Sequence, residues 1–361
     1  MVTSRPESSF TRDSANLDVL RSVAVMYVFG FHLMAVFGIS HIWRLSIVEL
    51  GFLGVLFFFV HTSFVLMCSL ERQESRTPGE PLWKIFLLRR VFRIYPLSIF
   101  IVTFVLVLSL PVGHLRGGRH VPSNLDHFGV VLNYLLAQDL FHRESIMATL
   151  WSLPYEMHMY LVLPILYVLT KFRRSAWLLL LLWCAALVAG LHPYRLNLIG
   201  LGGMSQYVPC FLPGILAYIL STKRQLRLPS FLWPVVLATL TLLYLSYSTL
   251  LSGWFCCLIL GLAVPQFLEV SNPVCKKTCL LIARYSYGIY LTHVICMWFA
   301  FQRLADLPGY VQWTVFVVTA VLSPVVLYHA LESPMISLGN RVASGLRHKK
   351  PAQVAPVQAV S

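Results

Sequence analysis

Residues 45–70 read LSIVELGFLGVLFFFVHTSFVLMCSL, an apolar run interrupted by one carboxylate, Glu49, and one imidazole, His61. A second run, LSIFIVTFVLVLSL, fills 97–110. Blocks of this length exceed what a buried helix of a soluble domain needs and match the hydrocarbon thickness of a bilayer, about 30 Å. The rest of the chain agrees. Of its 361 residues 58% are hydrophobic and 12% charged, where a soluble domain carries roughly a quarter charged residues. The expected fold class is all-α, a polytopic transmembrane helical bundle.

Ten spanning helices are expected, at about 17–38, 47–70, 86–110, 152–170, 175–191, 204–221, 231–248, 251–269, 279–301 and 311–331. The segment GVVLNYLLAQDLF (129–141) is short and holds Asn133, Gln138 and Asp139, so it is expected to be a re-entrant or interfacial helix. Lysine and arginine set the orientation. With ten crossings the RRVFR run, Lys171, Arg173, Arg174, the Lys276–Lys277 pair and the basic C-terminal stretch fall on one side. The other side keeps Arg44, Arg116, Arg119, Arg143, Arg195 and Arg303. Both termini are therefore expected in the cytoplasm and the protein in the cytoplasmic (inner) membrane. Residues 1–14 read as a cytoplasmic N-terminal segment, 15–337 as the transmembrane domain and 338–361 as a basic, disordered tail. No small-residue cleavage site follows the first apolar segment, so it reads as a retained helix.

The net charge of +14 is spread over short interhelical segments, not gathered in one patch, which argues against nucleic acid and for membrane lipids as partners. Of eight cysteines, six lie inside apolar runs, where thiols pack as small hydrophobes. Cys275 and Cys279 flank two lysines with no histidine pair nearby, a poor zinc site, and no metal is expected.

Ionisable groups inside apolar spans are expensive and point to function. In RSVAVMYVFGFH (21–32), Arg21 and His32 are eleven positions apart. That is about three turns, which puts both on nearly one face, roughly 16 Å apart. In LLRRVFRIYP (87–96), Arg90 and Arg93 share a face and Arg89 lies four residues from Arg93. Such a cluster pairs bidentately with phosphates, or grips anionic lipid headgroups as a topology anchor. In LWSLPYEMHMYLVLP (150–164), Glu156 needs a partner. By depth His32 is the candidate, with the carboxylate fixing the tautomer of a general base; a structural Glu–His or Glu–Arg pair is the alternative. In ARYSYGIYLTH (283–293), His293 is placed in the inner half of the ninth span. A lone histidine there, like His61, reads as a hydrogen-bonded core residue. His41, His114, His120, His127, His142 and His192 fall in outer loops and suggest nothing specific.

These segments together resemble the acyltransferase-3 family of integral membrane acyltransferases. LDVLRSVAVMYVFGFH resembles its first-helix signature, and GVLFFFVHTSF its Phe-rich second helix. RRVFRIYP is similar to its R-x-x-R entry to the third helix, and LWSLPYEMHMYLVLP to its WSL-x-x-E-x-x-x-Y-x-x-x-P segment. YSYGIYLTH and LESP follow in order, so the resemblance covers residues 17–334. The departure is Thr62-Ser63-Phe64, where the family usually has Ser-Gly-Phe; a side chain is added at a close helix contact.

The resemblance implies an acyltransferase that moves an acyl group, commonly acetyl, from acyl-CoA to a hydroxyl. No tightly bound cofactor is implied. Typical acceptors are cell-surface or exported glycans and their lipid-linked precursors, with lipids or macrolide-type metabolites as rarer ones. It implies that Arg89, Arg90 and Arg93 bind the nucleotide end of the donor, with the pantetheine arm along the Arg21–His32 face. His32 is the implied general base, Glu156 its orienting partner and Arg21 a stabiliser of negative charge. Trp151, Ser152, Tyr160 and His293 are the expected substrate contacts. No Ser or Cys nucleophile stands beside a base in these motifs, so direct transfer is expected. Two other readings stand beside this one: a transporter or proton relay running through Arg21, His32 and Glu156, and a catalytically inactive scaffold.

Overall fold

The computed structural model describes residues 14–345 apart from 44, 77–81, 117–118, 173–175, 194–201 and 224–225. A helix occupies each of the ten segments expected to cross: α1 (Ala15–Val36), α2 (Ile47–Arg76), α3 (Leu82–Val107), and, after a short α4 (His127–Leu135), α5 (Leu153–Phe172) and α6 (Ala176–Leu191). The series continues with α7 (Gly202–Ser221), α8 (Leu232–Tyr247), α9 (Leu250–Ala263), α10 (Pro273–Trp298) and α11 (Gly309–Leu327). Among the described residues, six helical stretches are long and apolar enough to cross a membrane on their own, and three further apolar helices, Ala176–Leu191, Leu232–Tyr247 and Leu250–Gln266, are shorter.

The central helix is α2, packed between α1 and α7, and α1 packs in turn on α10. Two glycines permit this. A Cβ on Gly54 of α2 would press on Ala24 O of α1 at 2.6 Å, so only glycine lets the two backbones approach this closely. On the other side Ser63 of α2 faces Gly214 of α7, where an added Cβ would overlap Ser63 Oγ and Val60 O. Ser63 Oγ donates to Phe211 O at 2.7 Å. The side chain at 63 therefore narrows nothing, because the close approach is supplied by glycine on the facing helix.

The start of α1 is held rather than free. Ser14 caps it, with Oγ accepting from Leu17 N and donating to Glu269 Oε1 at 2.6 Å. Asn16 donates from Nδ2 to Leu268 O and accepts from Val270 N, both at 3.1 Å. Along the shared interface Ser22 meets Cys279, Arg21 meets Ser286 and His32 meets His293, so α1 and α10 run parallel. This pairing positions the site.

The face reached by the C-terminal end of α1 carries two small hairpins, β1–β2 (His41–Ile42, Leu45–Ser46) and β3–β4 (His114–Arg116, Arg119–Val121). It also carries α4, nine residues long and about 13 Å, too short to cross. Several polar groups of the 129–141 segment are satisfied locally, while Gln138 Oε1 and Asp139 Oδ1 are buried without a hydrogen-bond partner among the described residues. Asn133 donates to Gly129 O and Glu144 O and accepts from Ile146 N, while Gln138 donates to Leu150 O. Residues 108–152 thus fold back as a cap.

At the other end of the sequence, α11 passes through a wide turn at Tyr328–Glu332 into α12 (Ser333–Gly345), which packs on α3 with Gly339 against Phe92. Residues 338–345, expected as tail, are helical because this packing buries Ala343. The segment after Gly345, and the N-terminal segment before Ser14, lie outside the described residues.

Candidate active site

Three helices and one turn bring charge into one place. Arg21 of α1, Arg90 and Arg93 of α3, Glu156 and Tyr160 of α5, and Glu332 at the turn before α12 lie within electrostatic reach of one another's neighbours in this cluster. Tyr160 donates to Glu156 Oε1. Arg21 Nε donates to Ser286 Oγ at 2.6 Å, and its guanidinium lies 5.7 Å from the Phe58 ring centroid. Glu156 and Glu332 are buried, whereas the three arginines keep partial exposure. With both carboxylates ionised, three guanidinium groups still leave one positive charge in excess. Enclosed charge without a partner is costly, and arginine excess in a cleft suits an anionic ligand.

About three turns along α1 the chemistry changes. His32 is buried, and its Nδ1 lies 3.0 Å from Val28 O and 3.3 Å from His293 Nε2. His293 Nδ1 lies 2.9 Å from Ile289 O. A carbonyl oxygen only accepts, so both Nδ1 atoms carry their proton, and His293 Nε2 is left as the acceptor for His32 Nδ1–H. This assignment, made from the hydrogen-bond pattern, leaves the lone pair of His32 Nε2 without a hydrogen-bond partner among the described residues.

Between the two levels runs a polar and aromatic strip. Ser152 and Tyr290 share a hydrogen bond of 2.7 Å, and the Tyr290 and His293 ring centroids are 6.3 Å apart. Trp151 stacks on Phe52 with centroids 5.9 Å apart and rings 7° from parallel, and also meets Tyr207.

The expected Glu156–His32 contact is not formed. Glu156 binds Tyr160 and faces the arginines, and His32 is oriented by Val28 O and His293 instead. The reason is depth. The helix α5 starts at Leu153, beside Ser152 in the strip between the two levels, so its fourth residue is already among the arginines. His293 lies level with His32, near the C-terminal end of α10, rather than in the inner half of that helix. Arg89 turns away from the cluster's centre toward Gln73 Oε1, at 3.5 Å. His61, read as a hydrogen-bonded core residue, has Nδ1 buried without a partner among the described residues and sits within electrostatic reach of Arg21 and Arg93.

Two participants escaped the sequence reading, Ser286 and Tyr290, although a signal existed for both. Ser286, Tyr290 and His293 stand at i, i+4 and i+7 on α10, one helical face.

The family profile described as an acyltransferase domain, of the acyltransferase-3 family, matches residues 14–329. No curated protein and no solved structure matches the chain. The matched range takes in the arginine cluster, the histidine pair and the strip between them, and the chain is a membrane-embedded member of the acyltransferase-3 family of acyltransferases.

Proposed function

We propose that this protein transfers an acyl group, acetyl in the simplest case, from cytoplasmic acyl-CoA to a hydroxyl of a cell-surface or exported glycan. The observation that carries this reading is the division of one helix, α1, into a cationic level at Arg21 and a histidine level at His32. Ten crossings with cytoplasmic termini open the arginine level to the cytoplasm, where a polyanionic nucleotide is supplied. Arg90, Arg93 and Arg21 hold its phosphates, and Glu156 and Glu332 keep the guanidinium groups from repelling one another when the site is empty of donor. The thin pantetheine arm spans the roughly 16 Å to His32.

His32 Nε2 removes the proton of the acceptor hydroxyl as its oxygen attacks the thioester carbonyl. The C–O bond forms, the C–S bond breaks, and the proton passes from the imidazolium to the departing thiolate. Val28 O and His293 Nε2 hold Nδ1–H and stabilise the transient positive ring, the part a carboxylate plays in other general-base histidines. His293 is then a positioning residue, and Ser152, Tyr290 and Trp151 shape the passage.

Purified protein in lipid nanodiscs, given acetyl-CoA and a glycan acceptor, is expected to release free CoA in step with ester formation. Uptake of solute by proteoliposomes without thioester consumption would replace this reading with the proton-relay or transporter one.

A further inference from the structure

We propose that His120, on the β3–β4 hairpin, is an acceptor-positioning residue that holds a second hydroxyl beside the one acylated at His32, so that the site selects acceptors with adjacent hydroxyl groups. The proposal rests on the acyl-transfer reading above. His120 is 4% exposed, and both of its ring nitrogens are buried without a hydrogen-bond partner among the described residues. A buried polar atom left unpaired is disfavoured, and two on one ring point to a ligand that supplies the missing partners.

Its neighbours say where that ligand lies. His32 and His293 are both within electrostatic reach of His120, so the hairpin brings a third imidazole to the histidine pair. The hairpin is fastened there: β3 and β4 pair with Leu115 opposite His120, Ala148 N donates to Val112 O at 3.0 Å, and Ser123 Oγ donates to Ser145 O at 2.6 Å. Burial, and then the proximity of His32, push the His120 pKa down to about 4. The ring is neutral at pH 7 and presents one N–H and one lone pair, the complement of a hydroxyl. Among the described residues no three histidine, cysteine or carboxylate groups stand close enough to share a metal ion, so the three imidazoles are read as hydrogen-bonding groups.

The test uses full-length protein in nanodiscs with acetyl-CoA and two probes, methyl α-glucoside, which has adjacent hydroxyls, and cyclohexanol, which has one. His120→Ala is expected to raise the KM for the glucoside roughly 5- to 10-fold, leaving the KM for acetyl-CoA and the kinetics with cyclohexanol unchanged. His120→Gln or His120→Asn, each keeping one hydrogen-bonding position, is expected to recover most of the glucoside KM. The proposal is overturned by equal loss with both probes, by no change with either, or by recovery in neither conservative variant. Thioester consumption by wild type with no effect of His120 sinks this inference alone. No thioester consumption by wild type sinks the acyl-transfer reading and this inference together.

Discussion

His32 Nδ1 and His293 Nε2 lie 3.3 Å apart, joining α1 to α10 through two imidazoles with no carboxylate between them. Because each Nδ1 also faces a backbone carbonyl of its own helix, the two helices fix both tautomers without a carboxylate. The account therefore expects His293→Ala to lower kcat about 10- to 100-fold, within the usual range for disturbing a general base, with the donor KM unchanged. His293→Gln, whose amide oxygen can accept from His32 Nδ1–H, is expected to restore part of that loss. Steady-state CoA release across donor concentrations measures both, and a pure change in donor KM would contradict the positioning role.

The arginine level is expected to respond differently. Arg90→Ala and Arg93→Ala each remove a charge-assisted phosphate contact and are expected to raise donor KM by roughly 10-fold or more, with little change in acceptor KM. Glu156→Gln keeps an acceptor for Tyr160 but removes a negative charge from among Arg21, Arg90 and Arg93. It is expected to tighten, not weaken, binding of CoA as measured by calorimetry. Weaker binding would mean that the carboxylate contacts the donor or holds the arginines in place.

The Ser63–Gly214 contact yields a stability cycle. Gly214→Ala places a Cβ on Ser63 Oγ and Val60 O, and such overpacking costs about 1–3 kcal/mol. Adding Ser63→Gly removes the closest of these overlaps and is expected to return part of that loss. Thermal unfolding in detergent of the two single variants and the double variant checks this. Strict additivity of the two changes would show that the residues are not coupled.

The cap should be acid-sensitive. A released hairpin lets His120 titrate near its ordinary value of 6.5, whereas docked it is held to about 4. Below pH 6.5 the released form takes up a proton that the docked form refuses, so docking weakens steadily between pH 6.5 and 4 and is constant above. The titratable groups facing it are His32 and His293, both on helices of the bundle. Hydrogen exchange over residues 114–121, corrected for intrinsic rates, is expected to lose protection across that window in wild type and not in His120→Gln.

The helices were legible because apolar run length reports long apolar helices directly, and the 21–32 spacing puts Arg21 and His32 on one face, toward Ser286 and His293 of α10. The partner of His32 was not legible. Depth was counted along α5 as if it began at the membrane surface, but it starts beside Ser152 in the strip between the two levels, which carries Glu156 to Arg21. His120 was hidden for a related reason: a loop histidine has no periodicity, and only the folded hairpin shows that it is buried within electrostatic reach of the pair. The added side chain at Ser63 looked like a loss of fit because the compensating Gly214 lies on another helix, 151 positions away, where pattern along the chain carries no information.

The central claim is that His32 Nε2 is the base for acyl transfer to a hydroxyl. The most direct measurement compares wild type and His32→Ala in nanodiscs, reading ester formation from acetyl-CoA and, separately, the binding of CoA. The account predicts a loss of transfer of at least 100-fold, in keeping with removal of a general base, with CoA binding intact. Transfer that persists at the wild-type rate in folded His32→Ala protein would contradict it.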